Sequence, residues 1–370
     1  MKTNFAGMMD NALRVWARRT WAEARNKTLI MPFTGTDPNS MIQRQTELTE
    51  TKNGNRATIT LVLDAQGDGV VGDNQLKGNE EALGLDEMEI KFDQLRFGHA
   101  NTGKMSDMKS ILNFRNVARD QIANRFAQAM DELAFLTLSG VAYTQKPDGT
   151  PRVGSQWPLL EYAADVTAPT TNRYRRWDAT SGLVAGDTTA VDPADTPTWK
   201  MLVDMKAYAV NTWVKPLRST DGVEVYNVFM TPNGIARLKK DSDFLEAWKH
   251  AQARGESNPL FKGTAHGGKR GIYIDGLNIL EYRNVYHPST WGSGSDVAGQ
   301  RVLLCGAQAL AFADPMGAIG APEWHEERDD YDNRNGIAGA KRFGFKKPVY
   351  FNTHLQSTED FGVLCVDTAV

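Results

Sequence analysis

The spacing of apolar and polar positions divides this chain into segments of different kinds. ATITLVLD (57–64) alternates and is rich in β-branched residues, which predicts a strand. It runs into AQGDGVVGDNQLKGNEEALG, which is glycine-rich and polar, and strand character returns in EMEIKFDQLRFGH (87–99). A strand, a polar tip and a returning strand make a long hairpin within residues 46–105. The glycines of the tip allow backbone angles that other residues resist. A two-stranded ribbon is marginal by itself. The hairpin is therefore expected to lie on a neighbouring molecule, with Asp64, Gly67, Asp68, Gly69, Gly72 and Asp73 as its contact tip.

Residues 106–139 contain neither glycine nor proline. Ser106 is placed to cap a helix and Asp107 suits its first turn. Ile111, Phe114, Ala118, Ile122, Phe126, Ala129, Leu133 and Leu136 form one apolar stripe, and Gly140 is a natural stop. Such a helix would span about 50 Å. Its polar opposite face predicts that it lies across a sheet.

Residues 144–198 lack periodicity and are rich in Pro, Gly, Thr and Asp. They read as a long irregular surface excursion, of a kind that neighbouring molecules would order. From about 197 the pattern becomes α/β. TPTWKMLVDMKAYAVNTW reads as a helix, VEVYNVFMTP (223–232) as a strand and 233–255 as helical. GIYIDGLNILEYRNV (271–285) reads as strand, turn and strand, RVLLCGAQALAFADP (301–315) as strand-like, and 348–370 as closing strands. Tandem repeats and heptads do not appear.

The first 30 residues carry six basic and two acidic side chains, a net charge of +4. Leu13, Trp16, Ala17 and Trp21 recur at helical spacing among Arg14, Arg18 and Arg19. This is an amphipathic basic arm that docks on something else, with Arg14, Trp16, Arg18, Arg19 and Trp21 as its contacts. The whole chain of 370 residues is near neutral, with a net charge of -3, which argues against a dedicated nucleic-acid binder. Apolar residues make up 41%, enough for a sizeable core. Cys305 and Cys365 sit in apolar runs without metal or disulfide spacing, as expected in a reducing compartment. No stretch is long and apolar enough for a membrane helix or a secretory signal, so a soluble protein is expected.

Four stretches touch on known chemistry and fall short of it. GTAHGGKR (263–270) fits a phosphate loop until Arg270, where a Ser or Thr hydroxyl is needed, and a strand follows instead of a helix. DAQGDG (64–69) starts like a calcium loop but has Gln75 where the bidentate Glu belongs. HEERDD (325–330) has Asp329 in place of the second zinc histidine. Its acids read as a solvated or subunit-facing edge. KRFGFKK (341–347) reads as a strand with Phe343 and Phe345 inward and Arg342, Lys346 and Lys347 outward, with contact to nucleic acid as the competing reading. No catalytic signature remains, and neither a metal nor a cofactor is expected.

The order of elements resembles the HK97-type capsid fold of tailed phages and herpesviruses, an α+β fold with an N-arm, E-loop, spine helix, P-domain and A-domain. MIQRQTELTETKNGNRATITLVLDAQGDGVVGDNQLKGNEEALG resembles the E-loop region of major capsid proteins of the N4-like phage group. FMTPNGIARLKKDSDFLEAW, NPLFKGTAHG and VLLCGAQALAFADP resemble that family's A-domain, and FGVLCVDTAV also fits. The likeness spans roughly 40–370 and rests on many stretches in order rather than on one motif. It implies an N-arm at 1–45, an E-loop hairpin at 46–105 and a P-domain at 106–198 with spine helix 106–139 and loop 144–198. An A-domain at 199–332 and closing P-domain strands at 333–370 complete it.

The resemblance further implies self-assembly into the hexamers and pentamers of an icosahedral head around double-stranded DNA. Scaffolding, portal and decoration proteins would be partners, DNA contact would be weak and non-specific, and no membrane would be involved. The chain would be found in the virion capsid, and in the host cytoplasm before assembly. Two alternatives stay open at this stage. One is an encapsulin-like nanocompartment shell, and the other a metal-dependent hydrolase acting through His325, Asp329 or Asp330.

Overall fold

A computed structural model describes residues 28–45, 56–63, 65, 67–104, 114–219, 222–252, 272–315 and 323–370. The arm residues Arg14, Trp16, Arg18, Arg19 and Trp21, the tip residue Asp64, the Ser106 cap and the 263–270 loop lie outside the described residues.

The strands in chain order are β1 (Thr34–Gly35), β2 (Ile42–Gln45), β3 (Arg56–Val62), β4 (Leu85–Lys91), β5 (Asp93–Ala100), β6 (Tyr174–Asp178), β7 (Gly182–Ala185), β8 (Leu217–Arg218) and β9 (Glu224–Met230). They continue with β10 (Ile272–Ile274), β11 (Leu277–Glu281), β12 (Gly299–Cys305), β13 (Leu310–Ala313), β14 (Glu323–Asp329), β15 (Arg334–Lys346), β16 (Val349–Asn352), β17 (Ser357–Asp360) and β18 (Val363–Ala369). The described α-helices are α1 (Phe114–Ser139), α2 (Trp199–Asn211), α3 (Pro232–Lys240) and α4 (Ser242–Gln252).

Two larger sheets organise the molecule. One has eight strands in the order β10-β11-β9-β12-β18-β6-β7, with β8 paired to β9. The other has six, in the order β1-β2-β13-β15-β14, with β5 paired to β15. The chain cut at 332/333 therefore divides the sequence but not the sheets. The last strand, β18, lies inside the eight-stranded sheet, whereas β13 and β14 belong with β15. Sheet pairing is non-local, and linear order does not reveal it.

The eight-stranded sheet is covered on both faces. Leu303, Cys305, Phe229 and Cys365 face the core that includes the second half of α1. Val302, Leu304, Val228 and Val366 face the core built on Met201, Met205, Ile235 and Phe244 of α2, α3 and α4. Burial on both faces explains why these strands read as continuous apolar runs. At β10–β11 the chain turns through Asp275 and Gly276, with φ of 44° and 84°. Two successive left-handed residues make the turn that matches strand twist.

Helix α1 bridges the two sheets. Its first half packs Phe126 edge-on against Phe97 of β5, with ring centroids 4.9 Å apart. Its second half packs Phe135 against Phe229 of β9 at 5.2 Å. The polar face expected along the helix ends part-way, because Leu133 through Ser139 are all buried. Glycine at 140 ends it in a left-handed turn, with φ of 66° and Val141 N–H donating to Leu136 O.

The expected irregular excursion at 144–198 departs from the structure. It holds β6, β7 and several 3-10 turns, and Trp157, Tyr162, Trp177 and Val191 are buried. Trp157 and Tyr162 pack into the core around α1, which is why that helix loses its solvent face. Side-chain hydrogen bonds take the place of periodic burial here. Asp195, for example, accepts from Ala179 N and from Arg176.

Candidate functional site

The hairpin β3–β4 pairs in register from Arg56↔Lys91 to Val62↔Leu85. Alternation gives it one apolar face, and Ala57, Ile59, Leu61, Met88 and Ile90 lie against Ala311, Ala313, Tyr350 and Phe361 of the same chain. Polar clamps hold the root. Phe351 N–H donates to Asp86 Oδ2 at 2.7 Å, Lys346 Nζ donates to Glu89 O at 2.6 Å, and Lys91 meets Asp165 at 3.4 Å.

The ladder ends where Leu63 N–H meets Gly84 O. Beyond it the tip is held by local bonds, such as Gly67 N–H to Glu81 Oε2 at 2.7 Å and Asn74 Nδ2 to Val71 O. Gly69 and Gly72 have φ of 71° and 66°, with open space where a Cβ would stand. The predicted tip residues Gly67, Asp68, Gly69, Gly72 and Asp73 are thus brought together and exposed. So are three large apolar side chains, Val71 at 80%, Leu76 at 58% and Leu83 at 79% exposure.

Buried polar networks tie the elements of the body together behind this hairpin. Arg301 makes two bonds of 2.8 and 3.0 Å to Asp367 and one of 2.8 Å to Ser139 O at the end of α1. Burial, with Asp367 beside it, pushes the Tyr174 hydroxyl well above its ordinary range. Lys347 Nζ lies 2.8 Å from Asp360 Oδ2. Burial raises the Asp360 carboxyl, against Lys347 and the Thr170 N–H, which lower it. Arg173, also buried, donates to Asp360 O and to Thr212.

Lys347 corrects one expectation. Phe343 and Phe345 point inward as expected, but Lys347 shares their parity and is buried too. Arg342 pairs with Glu323 at 2.8 Å and Lys346 is spent on the hairpin. This strand therefore serves internal packing.

Side chains of the HEERDD stretch and its flank are likewise paired. Glu326 pairs with Arg115 at 2.5 Å, Arg328 with Asp332 at 3.4 Å, and Asp330 with Arg334 at 4.0 Å. Among the described residues, no three His, Cys, Asp or Glu side chains converge as metal ligands. Cys305 and Cys365 are buried free thiols, and burial pushes Cys365 up to about 12.

The described residues thus form a packed body that carries an arm with exposed apolar side chains at its tip. A family model described as "Phage capsid protein" matches residues 4–370. The chain belongs to that family. This capsid protein is 45% identical over 376 residues to the major capsid protein of Pseudomonas phage KPP25, covering 99% of this chain and 97% of the relative. Among solved structures, the capsid of Ralstonia phage GP4 aligns at a TM-score of 0.74 with 26% identity, covering 91% of this chain and 89% of that one. The cyanophage Pam1 capsid aligns at 0.67 with 21% identity, covering 92% and 91%. The fold is the α+β, HK97-type capsid fold. The protein is a major structural component of the virion shell, assembled from many copies, and not an enzyme. The narrower likeness to the N4-like group rests on the sequence stretches alone.

Proposed function

We propose that copies of this chain form the hexamers and pentamers of an icosahedral head, the tip of each hairpin, 63–84, lying across the adjacent subunit. The observation that carries this reading is the tip from 63 to 84. It exposes Val71, Leu76 and Leu83, which its own subunit leaves uncovered. Exposed apolar clusters of this kind mark binding surfaces. The basic arm, with Arg14, Trp16, Arg18, Arg19 and Trp21, docks on a second neighbour. The near-neutral wall meets packaged double-stranded DNA only through weak, salt-dependent contacts from lumen-facing Arg and Lys. Portal, scaffolding and decoration proteins complete the particle, which is built in the host cytoplasm.

The test is Gly69→Val combined with Gly72→Val. Valine resists the left-handed conformation at both positions. Electron microscopy of the expressed variant should show loss of closed shells while circular dichroism of the subunit is unchanged. Normal shells from the double variant would overturn the role of the tip.

A further inference from the structure

Helix α2 ends with Trp213 N–H donating to Val210 O and Val214 N–H donating to Ala209 O. That pattern puts residue 213 in the left-handed region, and φ is 59°. Glycine is the usual occupant of such a position, and a bulky side chain there is strained. The indole gains little burial in return, since it is 56% exposed. It lies flat on His354, ring centroids 3.8 Å apart and planes 8° apart. His354 is fixed in turn by a tight loop in which Asn352 Oδ1 accepts from the N–H groups of His354 and Leu355.

The stacked pair stands at a groove of about 660 Å³ whose other walls include Leu61–Leu63, at the end of the hairpin's ladder, and Lys215, Pro216 and Arg218. Tyr226 and Phe361 also line it. Strain held at an exposed aromatic beside a groove is a reason to infer a function for it.

Resting on the reading that hairpins are exchanged between copies, we propose that this groove receives the hairpin tip of a second copy, with Trp213 and His354 as the platform for its apolar side chains. Charge favours this occupant. The tip from 63 to 84 carries five acidic residues and one basic, a net charge of −4. The groove presents Lys215 and Arg218, with Glu224 as its exposed acid. The buried acids Glu359 and Asp360 are bonded to Asn172, Thr170 and Lys347. The groove adjoins the end of its own hairpin's ladder, where the tip begins at Leu63 and Gly84, so a tip and a groove stand side by side on each copy. A head-to-tail contact of this kind repeats from copy to copy and closes into a ring where the rotation allows.

Two experiments test the proposal. In Trp213→Gly the helix end receives the residue it prefers, so the subunit should fold with an unchanged or raised Tm. Assembly should nevertheless require about tenfold or more higher protein concentration, as for loss of an aromatic anchor. Assembly at the wild-type concentration would overturn it. The second experiment uses Gln75→Cys with Thr353→Cys, since Cys305 and Cys365 are buried. Oxidised particles should run as a ladder of multimers on non-reducing gels, while Gln75→Cys with Val153→Cys should not. A ladder from the Val153 pair alone would place the receiving surface elsewhere and overturn the groove while leaving hairpin exchange intact. Monomers only from both pairs would overturn the groove and hairpin exchange together.

Discussion

Lys347 and Asp360 form a 2.8 Å ion pair at 1% and 0% side-chain exposure, joining the end of β15 to the end of β17. Desolvating two charges is costly, and the pair is tolerated because each compensates the other. Asp360 Oδ2 also accepts from Thr170 N–H at 3.3 Å. Removing one partner leaves an uncompensated charge in the core.

Lys347→Met is therefore expected to cost about 3–5 kcal/mol. Combining it with Asp360→Leu should cost clearly less than the sum of the two single changes. Urea unfolding of the three variants checks the coupling. Additive costs would show that the pair contributes nothing as a pair.

Gly140→Ala should destabilise the subunit for two separate reasons. The residue has φ of 66°, and a Cβ would stand 2.5 Å from Thr167 O, which belongs to backbone rather than to a side chain that can swing away. The strain of the left-handed conformation alone is about 1–2 kcal/mol, and the backbone clash adds to it. Thermal unfolding measures the total. A change below about 0.5 kcal/mol, the range of ordinary surface substitutions, would mean that the helix end is free to shift.

Alkali should weaken the fold through its buried tyrosines. Burial, with Glu224 beside it, pushes the Tyr226 hydroxyl up to about 12, and burial with Asp86 does the same for Tyr350. An unfolded tyrosine releases its proton near pH 10. Below that pH both states hold the proton and stability is unaffected. Between about pH 10 and 12 the unfolded state has lost it while the native state keeps it. Stability then falls as pH rises, by at most about 1.4 kcal/mol per unit for each such group. Tyr226→Phe and Tyr350→Phe should each flatten this slope in denaturant titrations. An unchanged slope in both would assign the alkaline loss to other groups.

Much of this architecture is legible in local pattern, and the exceptions share a cause. The hairpin, the long helix and the inward Phe343 and Phe345 follow from periodicity, because each depends on near neighbours in the chain. Lys347 was also readable, since it has the parity of those phenylalanines, but a positive charge reads as solvent-facing until its partner Asp360 is seen. The buried end of α1 and the strands hidden in 144–198 depend on one another, through Trp157 and Tyr162. Neither segment signals the other. The run at 301–315 reads as one element and is two, β12 and β13, which enter different sheets. As for the proposed site, the tip residues are contiguous, so one stretch of sequence points to them together. Trp213 and His354 are far apart in sequence, and no motif joins them.

The exit of the N-terminal arm is set by Asp131, in the middle of α1. Its carboxylate accepts from Leu29 N–H at 2.8 Å, from Ile30 N–H at 3.3 Å and from the Tyr282 hydroxyl at 2.9 Å. The two backbone donors are buried, and a buried donor left unpaired costs about 1–3 kcal/mol. Asp131→Ala should accordingly lower overall stability and, more tellingly, loosen the segment that begins the Met31–Phe33 turn. Asp131→Asn retains one acceptor oxygen and should do so less. Limited proteolysis is the sensitive measurement. In the alanine variant, cleavage within residues 28–33 should quicken while the fragments of the 199–252 helices stay protected. Equal protection of residues 28–33 in all three proteins would show that Ile30, Met31 and Phe33, all buried in the core around α1, hold the arm's root without the carboxylate.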